Sequence, residues 1–150
     1  MNLLEETQID GKLSDDYCLM PKDILVVRSN GSANLVGRFL FVDKLTDKTS
    51  FSGFTIRIRP INDKDVDSKF LCYFLRTDFV RNKIISESGG SNIKSLNQTL
   101  LSSIKVPLPT LTEQQKIVSQ ITEIENKIAV LESVISNIPQ QKEAILKKYL

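Results

Sequence analysis

Histidine is absent from the 150 residues, and cysteine occurs only twice. Without histidine there is no Ser-His-Asp or Cys-His nucleophile system and no zinc site with imidazole ligands. Few enzyme mechanisms survive that absence, which weighs towards a binding or scaffolding role. Cys18 and Cys72 lie far apart and form no CxxC pair, so both read as reduced packing residues. No apolar run approaches the roughly 18 residues that span a bilayer. The opening MNLLEETQ lacks the basic-then-apolar pattern of a secretory signal, and a cytoplasmic location is the expectation.

What is present is ordinary in amount and uneven in arrangement. Hydrophobic residues make up 41% and charged residues 25%, the balance of a globular chain with a real core. The net charge is +2, but residues 1–23 carry two basic and six acidic groups, whereas residues 24–110 carry thirteen basic and seven acidic. The middle of the chain is therefore the basic part, which suits contact with a phosphate backbone.

The pattern up to residue 110 is that of an α+β body, with strands first and helices second. Asp10-Gly11 sits between short apolar flanks and reads as a hairpin turn. Pro21-Lys22-Asp23 reads as a turn into a buried strand over 24–27. A polar loop, Arg28 to Asn34, leads to a strand-like stretch over 35–42 that Gly37 interrupts. Phe54 to Arg59 alternates strictly, which places Phe54, Ile56 and Ile58 towards a core and Arg57 and Arg59 outward. Asp67 or Ser68 caps a helix carrying Phe70, Leu71, Phe74 and Leu75. A second short helix carries Phe79, Val80, Ile84 and Ile85. After the loop Ser88–Asn92 the chain returns through Leu96, Leu100 and Leu101 to a short β-type segment at Ile104–Val106, followed by Pro107-Leu108-Pro109.

From there the periodicity changes. Ile117, Ile121, Ile124, Ile128, Leu131, Ile135 and Ile138 recur with gaps that alternate four and three, a coiled-coil seam. A helix with such a seam pairs with another helix. Two capping boxes compete for its start, Thr110 with Glu113 and Thr112 with Gln115. Pro139 falls inside the register, but Ile145 resumes it in phase, so a kinked continuation is expected.

Two blocks carry a resemblance to a known family. One is Gly90-Ser91-Asn92-Ile93-Lys94-Ser95-Leu96 with Leu101, Ile104 and Pro107-Leu108-Pro109. The other is Leu111, Glu113-Gln114 and the isoleucine seam, ending in Lys142 and Leu146. Upstream, Lys22-Asp23-Ile24-Leu25 and Val36-Gly37-Arg38 fit as well. Together they resemble the specificity subunit of type I restriction–modification systems. The resemblance implies that residues 1–110 are the C-terminal portion of a DNA target recognition domain: a small mixed or antiparallel sheet with short helices. Residues 111–150 would be a long spacer and dimerisation helix. It implies a non-catalytic, sequence-specific DNA-binding subunit that directs methyltransferase and restriction subunits to their site. No cofactor is expected in this chain, since S-adenosylmethionine, ATP and Mg²⁺ would be held by the partner subunits. The helix would pair with another specificity half or with a second copy. Family members normally have two recognition domains and two such helices, whereas this chain shows one body and one helix.

The candidate DNA contacts follow from side-chain chemistry. Arg28, Asn30, Ser32, Asn34 and Arg38 flank one polar loop; arginine matches guanine O6 and N7, and asparagine matches adenine N6 and N7. The bland alternative is a polar turn in which Gly31 and Gly37 serve the backbone. Ser91, Asn92 and Lys94, in the Gly89–Lys94 loop, offer hydroxyl, amide and ammonium donors for phosphate. Arg57 and Arg59 could track phosphates or simply be solvated. Two other functional classes compete. Asp67-Ser68-Lys69, with Asp43 or Asp47, has the D-x-K spacing of a metal-dependent nuclease. A scaffold that oligomerises through the seam without touching DNA is the other.

Overall fold

The strand Ile24–Val27 (β1) is the centre on which the body is built. In the computed structural model, which describes residues 14–32, 34–62, 64–87 and 95–149, this strand pairs antiparallel on both sides. Its neighbours are Phe39–Phe41 (β2) and Thr55–Ile58 (β3), in the order β2-β1-β3. The register explains the core. Ile24 lies opposite Phe41 and Ile58, and Val26 lies opposite Phe39 and Ile56, so six apolar side chains share one face. Ile24 and Val26 are fully buried there.

Helices cover that face. Ser68–Leu75 (α1) starts where Asp67 Oδ1 accepts the N–H groups of Lys69 at 2.8 Å and Phe70 at 3.0 Å. Phe70, Cys72 and Leu75 point inward. Asp78–Glu87 (α2) contributes Val80 and Ile84. Gln98–Ser102 (α3), capped by Asn97 Oδ1 on the Leu100 N–H at 2.7 Å, contributes Leu100. Leu96 and Ile104, on either side of α3, complete the cluster. Both cysteines are buried free thiols, as their spacing indicates.

The structure corrects three sequence expectations. The stretch 35–42 is not one strand: residues 34–37 form a turn, Gly37 has φ +75°, and only Phe39–Phe41 pairs. Phe54 does not enter the core; it is 68% exposed, one residue before β3, with its carbonyl accepting the N–H groups of Arg28 and Ser29. Ile104–Val106 forms no strand. Ile104 reaches the core just past the C-cap of α3, its N–H donating to the Leu101 carbonyl, and residues 104–106 pair with no strand. The Asp-Gly hairpin near residue 10 lies outside the described residues.

Arg57 and Arg59 are half-buried and engaged within the body rather than simply solvated. Arg57 Nη1 donates to the carbonyls of Asp16 at 2.8 Å and Cys18 at 3.0 Å, and the guanidinium lies 5.3 Å from the centre of the Phe51 ring. Arg59 holds Asp23 through Nε at 2.6 Å and Nη2 at 2.7 Å, and Nη2 also donates to the Cys18 carbonyl at 3.2 Å. The outward face of β3 thus clamps the segment containing the 3₁₀ turn Asp15–Tyr17.

Contacts divide the chain into two compact units, residues 1–108 and 109–150. The second is dominated by a helix over Leu111–Leu146 (α4), 36 residues and about 54 Å long. Thr110 is its cap. Thr110 Oγ1 accepts from the Glu113 N–H, and Glu113 Oε2 accepts from the Thr110 N–H at 2.9 Å, which settles the choice between the two boxes. The helix runs through Pro139 without dividing.

Asp23 generates the first prediction. Burial alone would raise the pKa of its carboxyl, but hydrogen bonds from Arg59 and the Met20 N–H, with the charges of Arg59 and Arg57, bring it below the ordinary value. A lowered folded value means the stabilisation is present in full above the unfolded value of about 3.9 and is lost as pH falls through the folded one. Asp23→Ala should cost about 2–3 kcal/mol in chemical denaturation, short of a fully buried pair because the Arg59 side chain is 34% exposed. Asp23→Asn should flatten the acid limb of stability below about pH 4; an unchanged acid limb would contradict this account.

Candidate nucleic-acid interface

The β1–β2 connection holds all five of the loop residues singled out by their chemistry, and the structure shows how it is shaped. Arg28 leaves β1 with its N–H on the Phe54 carbonyl at 2.7 Å and its carbonyl accepting the Leu96 N–H at 2.7 Å. Three chain segments therefore meet at one end of the sheet: the start of this loop, the turn before β3, and the chain just before α3. Arg28, Asn30, Ser32, Asn34 and Arg38 are all exposed there.

Local hydrogen bonds hold the loop in shape. Asn30 Oδ1 accepts the Ser32 N–H at 2.9 Å, an Asx turn, and the Ser32 carbonyl accepts the Leu35 N–H at 3.1 Å. The Asn30 acceptor is thus engaged within the loop, which weakens the case for a bidentate adenine contact from Asn30 and leaves its NH₂ as the outward group. The Asn34 carbonyl accepts from Arg38 Nε at 3.2 Å and from Arg81 Nη2 at 3.4 Å, and Arg81 Nη1 donates to the Val36 carbonyl. Gly37 makes this possible twice over. Its left-handed φ suits glycine, and a Cβ there would lie 3.1 Å from Arg81 Nη1 and 3.4 Å from Ile84.

Arg81 and Arg76 were not singled out by sequence. Arg76 ends α1, Arg81 lies one turn into α2, and nothing in their spacing relates them to Arg38 some forty residues earlier. The fold brings the three to the rim of one concavity. Burial, together with the positive Arg38, pushes the Arg81 pKa below the ordinary guanidinium value.

Ser91, Asn92 and Lys94 lie outside the described residues. The carboxylate of the D-x-K triplet is the cap of α1, and among the described residues no group of three or more metal-ligating side chains occurs. Asp47 Oδ2 accepts from the neighbouring Thr46 hydroxyl. These observations give the nuclease reading no support.

The seam residues share the stripe that their spacing prescribes. Ile124, Ile128, Leu131 and Ile135 are each about half exposed or more, Ile117 and Ile138 are 37% exposed, and Ile121 is half-buried. Val130 and Val134 widen the apolar surface beside it. A contiguous run of exposed branched residues is more common at interaction surfaces than elsewhere on a protein. No described helix is long and apolar enough to cross a membrane.

A profile of the type I restriction modification DNA specificity domain matches residues 2–140. The chain is 30% identical over 148 residues to the StySPI type I restriction enzyme specificity subunit of Salmonella potsdam, covering 99% of the chain and 28% of that subunit. It is 31% identical, with the same coverage, to the EcoKI type I restriction enzyme specificity subunit of Escherichia coli K12. A putative MjaX specificity subunit of Methanocaldococcus jannaschii is 32% identical over 134 residues, which cover 88% of the chain and 31% of that protein. The chain spans less than a third of the length of these relatives.

The loop geometry leaves little room for a side chain at Gly37. Gly37→Ala should lower stability by about 1–2 kcal/mol, from the left-handed backbone alone, and more if Arg81 is displaced. Thermal melting of the pair of proteins checks this, and an equal midpoint would contradict it.

Proposed function

Because the chain belongs to the type I restriction–modification DNA specificity domain family, we propose that it supplies one part of a subunit that recognises a DNA sequence. The observation that carries this reading is the family match across residues 2–140. The geometry supports it: exposed Arg28 and Arg38 flank a loop held by its own hydrogen bonds, in the basic part of the chain.

In this reading the body contacts double-stranded DNA. Arg28, Ser32, Arg38 and the Asn30 and Asn34 amides meet base edges or phosphates, joined by Ser91, Asn92 and Lys94. The chain performs no chemistry. Methyltransferase subunits, and restriction subunits with them, hold S-adenosylmethionine, ATP and Mg²⁺ and act on the site to which this subunit directs them. The α4 seam is the docking element, filled by another specificity half or by a second copy. It excludes water from Ile124, Ile128, Leu131 and Ile135, which is the driving force for pairing.

Two measurements test this. Fluorescence anisotropy of the full chain on duplex DNA should show affinity falling with salt by about 0.9 log unit per log unit for each phosphate neutralised; a flat titration would overturn phosphate-led binding. Ile124→Lys combined with Ile128→Lys should abolish helix pairing while leaving the fold of residues 1–108 intact. Unchanged mass by light scattering together with unchanged methyltransferase-subunit binding would overturn the role of the seam.

A further inference from the structure

Beside the β1–β2 loop lies a concavity of about 230 Å³, walled by Gly37, Phe39 and Leu75 and rimmed by Arg38, Arg76 and Arg81, with Asp78 as its one acid. The volume corresponds to roughly seven or eight waters. None of the three arginines, nor Asp78, forms an ion pair among the described residues. The cluster therefore carries two uncompensated positive charges. Arg81 is committed to the loop backbone through Val36 and Asn34, and Arg38 to Asn34 through Nε alone. The η nitrogens of Arg38 and the whole Arg76 guanidinium remain as donors. Three guanidinium groups gathered around a single carboxylate leave an excess of donors suited to a tetrahedral oxyanion, which two forks can grip at once.

We infer that this concavity is a phosphate-binding subsite in which Arg38 and Arg76 grip a single phosphodiester of the DNA backbone, with Arg81 as the positioning residue. The inference rests on the DNA-binding reading above and adds to it a contact from α1 that the loop alone does not contain. Arg81 acts through the backbone: by holding Val36 and Asn34 it sets where Arg38 stands. An anion between Arg38 and Arg81 also relieves their mutual repulsion. The subsite is indifferent to base identity, so it fixes register while the loop tip reads sequence. Asp78 opposes the anion, and its removal should tighten binding.

The experiment measures the full chain on a 20-base-pair duplex across a salt series, beside a titration with inorganic phosphate followed by NMR at the arginine Nε–H signals. Arg76→Ala should weaken binding to every duplex by about eightfold at 0.1 M salt and reduce the salt slope by about 0.9, the share of one phosphate. Arg76→Lys should restore most of the slope, and Asp78→Asn should strengthen binding, with unchanged circular dichroism throughout. If the native chain binds duplex and Arg76→Ala leaves affinity and slope unaltered, the subsite is overturned while the DNA-binding reading stands. If the native chain binds no duplex, both fall. In that case, phosphate-induced shifts at Arg38 and Arg76 would assign the concavity to a free anion instead, and no shifts would leave it with no anion role.

Discussion

The carboxylate of Asp23, almost wholly shielded from solvent and gripped side-on by Nε and Nη2 of Arg59, ties together three parts of the body far apart in sequence. Asp23 immediately precedes the central strand. Arg59 follows the partner strand. The Cys18 carbonyl, which takes another Arg59 donor, lies in the segment that crosses the outer face. The turn Met20–Asp23 completes the knot: Asp23 N–H donates to the Met20 carbonyl, Asp23 Oδ2 accepts the Met20 N–H, and Lys22 takes φ 77° at the third position, as a type II turn with proline at its second position requires. The strand register, the placement of the β1–β2 loop and the cluster of arginines beside it all follow from where this knot sets the start of β1.

That dependence explains what could and could not be read in the chain. The four-residue apolar run at 24–27, the Asp67 cap and the four-three spacing from Ile117 each report a local rule, and local rules are legible. The fate of Arg57 and Arg59 was not. Alternation tells which face of a strand a residue occupies, but not what lies over that face, and here it is the segment 14–18. Phe54 failed for a related reason: alternation continues in sequence past the point where pairing stops. Competing boxes at Thr110 and Thr112 obey the same rule equally well, and only the backbone geometry separates them. The candidate site divides in the same way. Loop composition pointed to Arg28 and Arg38, whereas Arg76 and Arg81 join them only through the packing of α1 and α2 against the sheet.

The two units place different demands on their surroundings. In residues 1–108 the apolar face of the sheet is covered by the chain's own helices, and no buried side-chain nitrogen or oxygen lacks a hydrogen bond among the described residues. In residues 109–150 the cap is complete and ion pairs such as Glu123 with Lys127 decorate the surface, yet the isoleucine stripe stays in water. Intrahelical pairs of this kind contribute only about 0.3–0.5 kcal/mol each. Propensity and capping thus support the long helix, while burial of its apolar stripe contributes nothing to this helix as it stands.

The two thiols divide the body into separately observable regions. Cys72 is enclosed in the core beneath the sheet, while Cys18 lies under the arginine clamp on the opposite face, its Sγ donating to the Ser14 carbonyl. A thiol reagent reaches each only when its own cover opens, so modification rates would report two opening events in one molecule. Release of the outer segment would register at Cys18 first, and loss of the packed sheet and helices at Cys72. The chain thereby carries its own internal clock for whether the clamp or the core yields first.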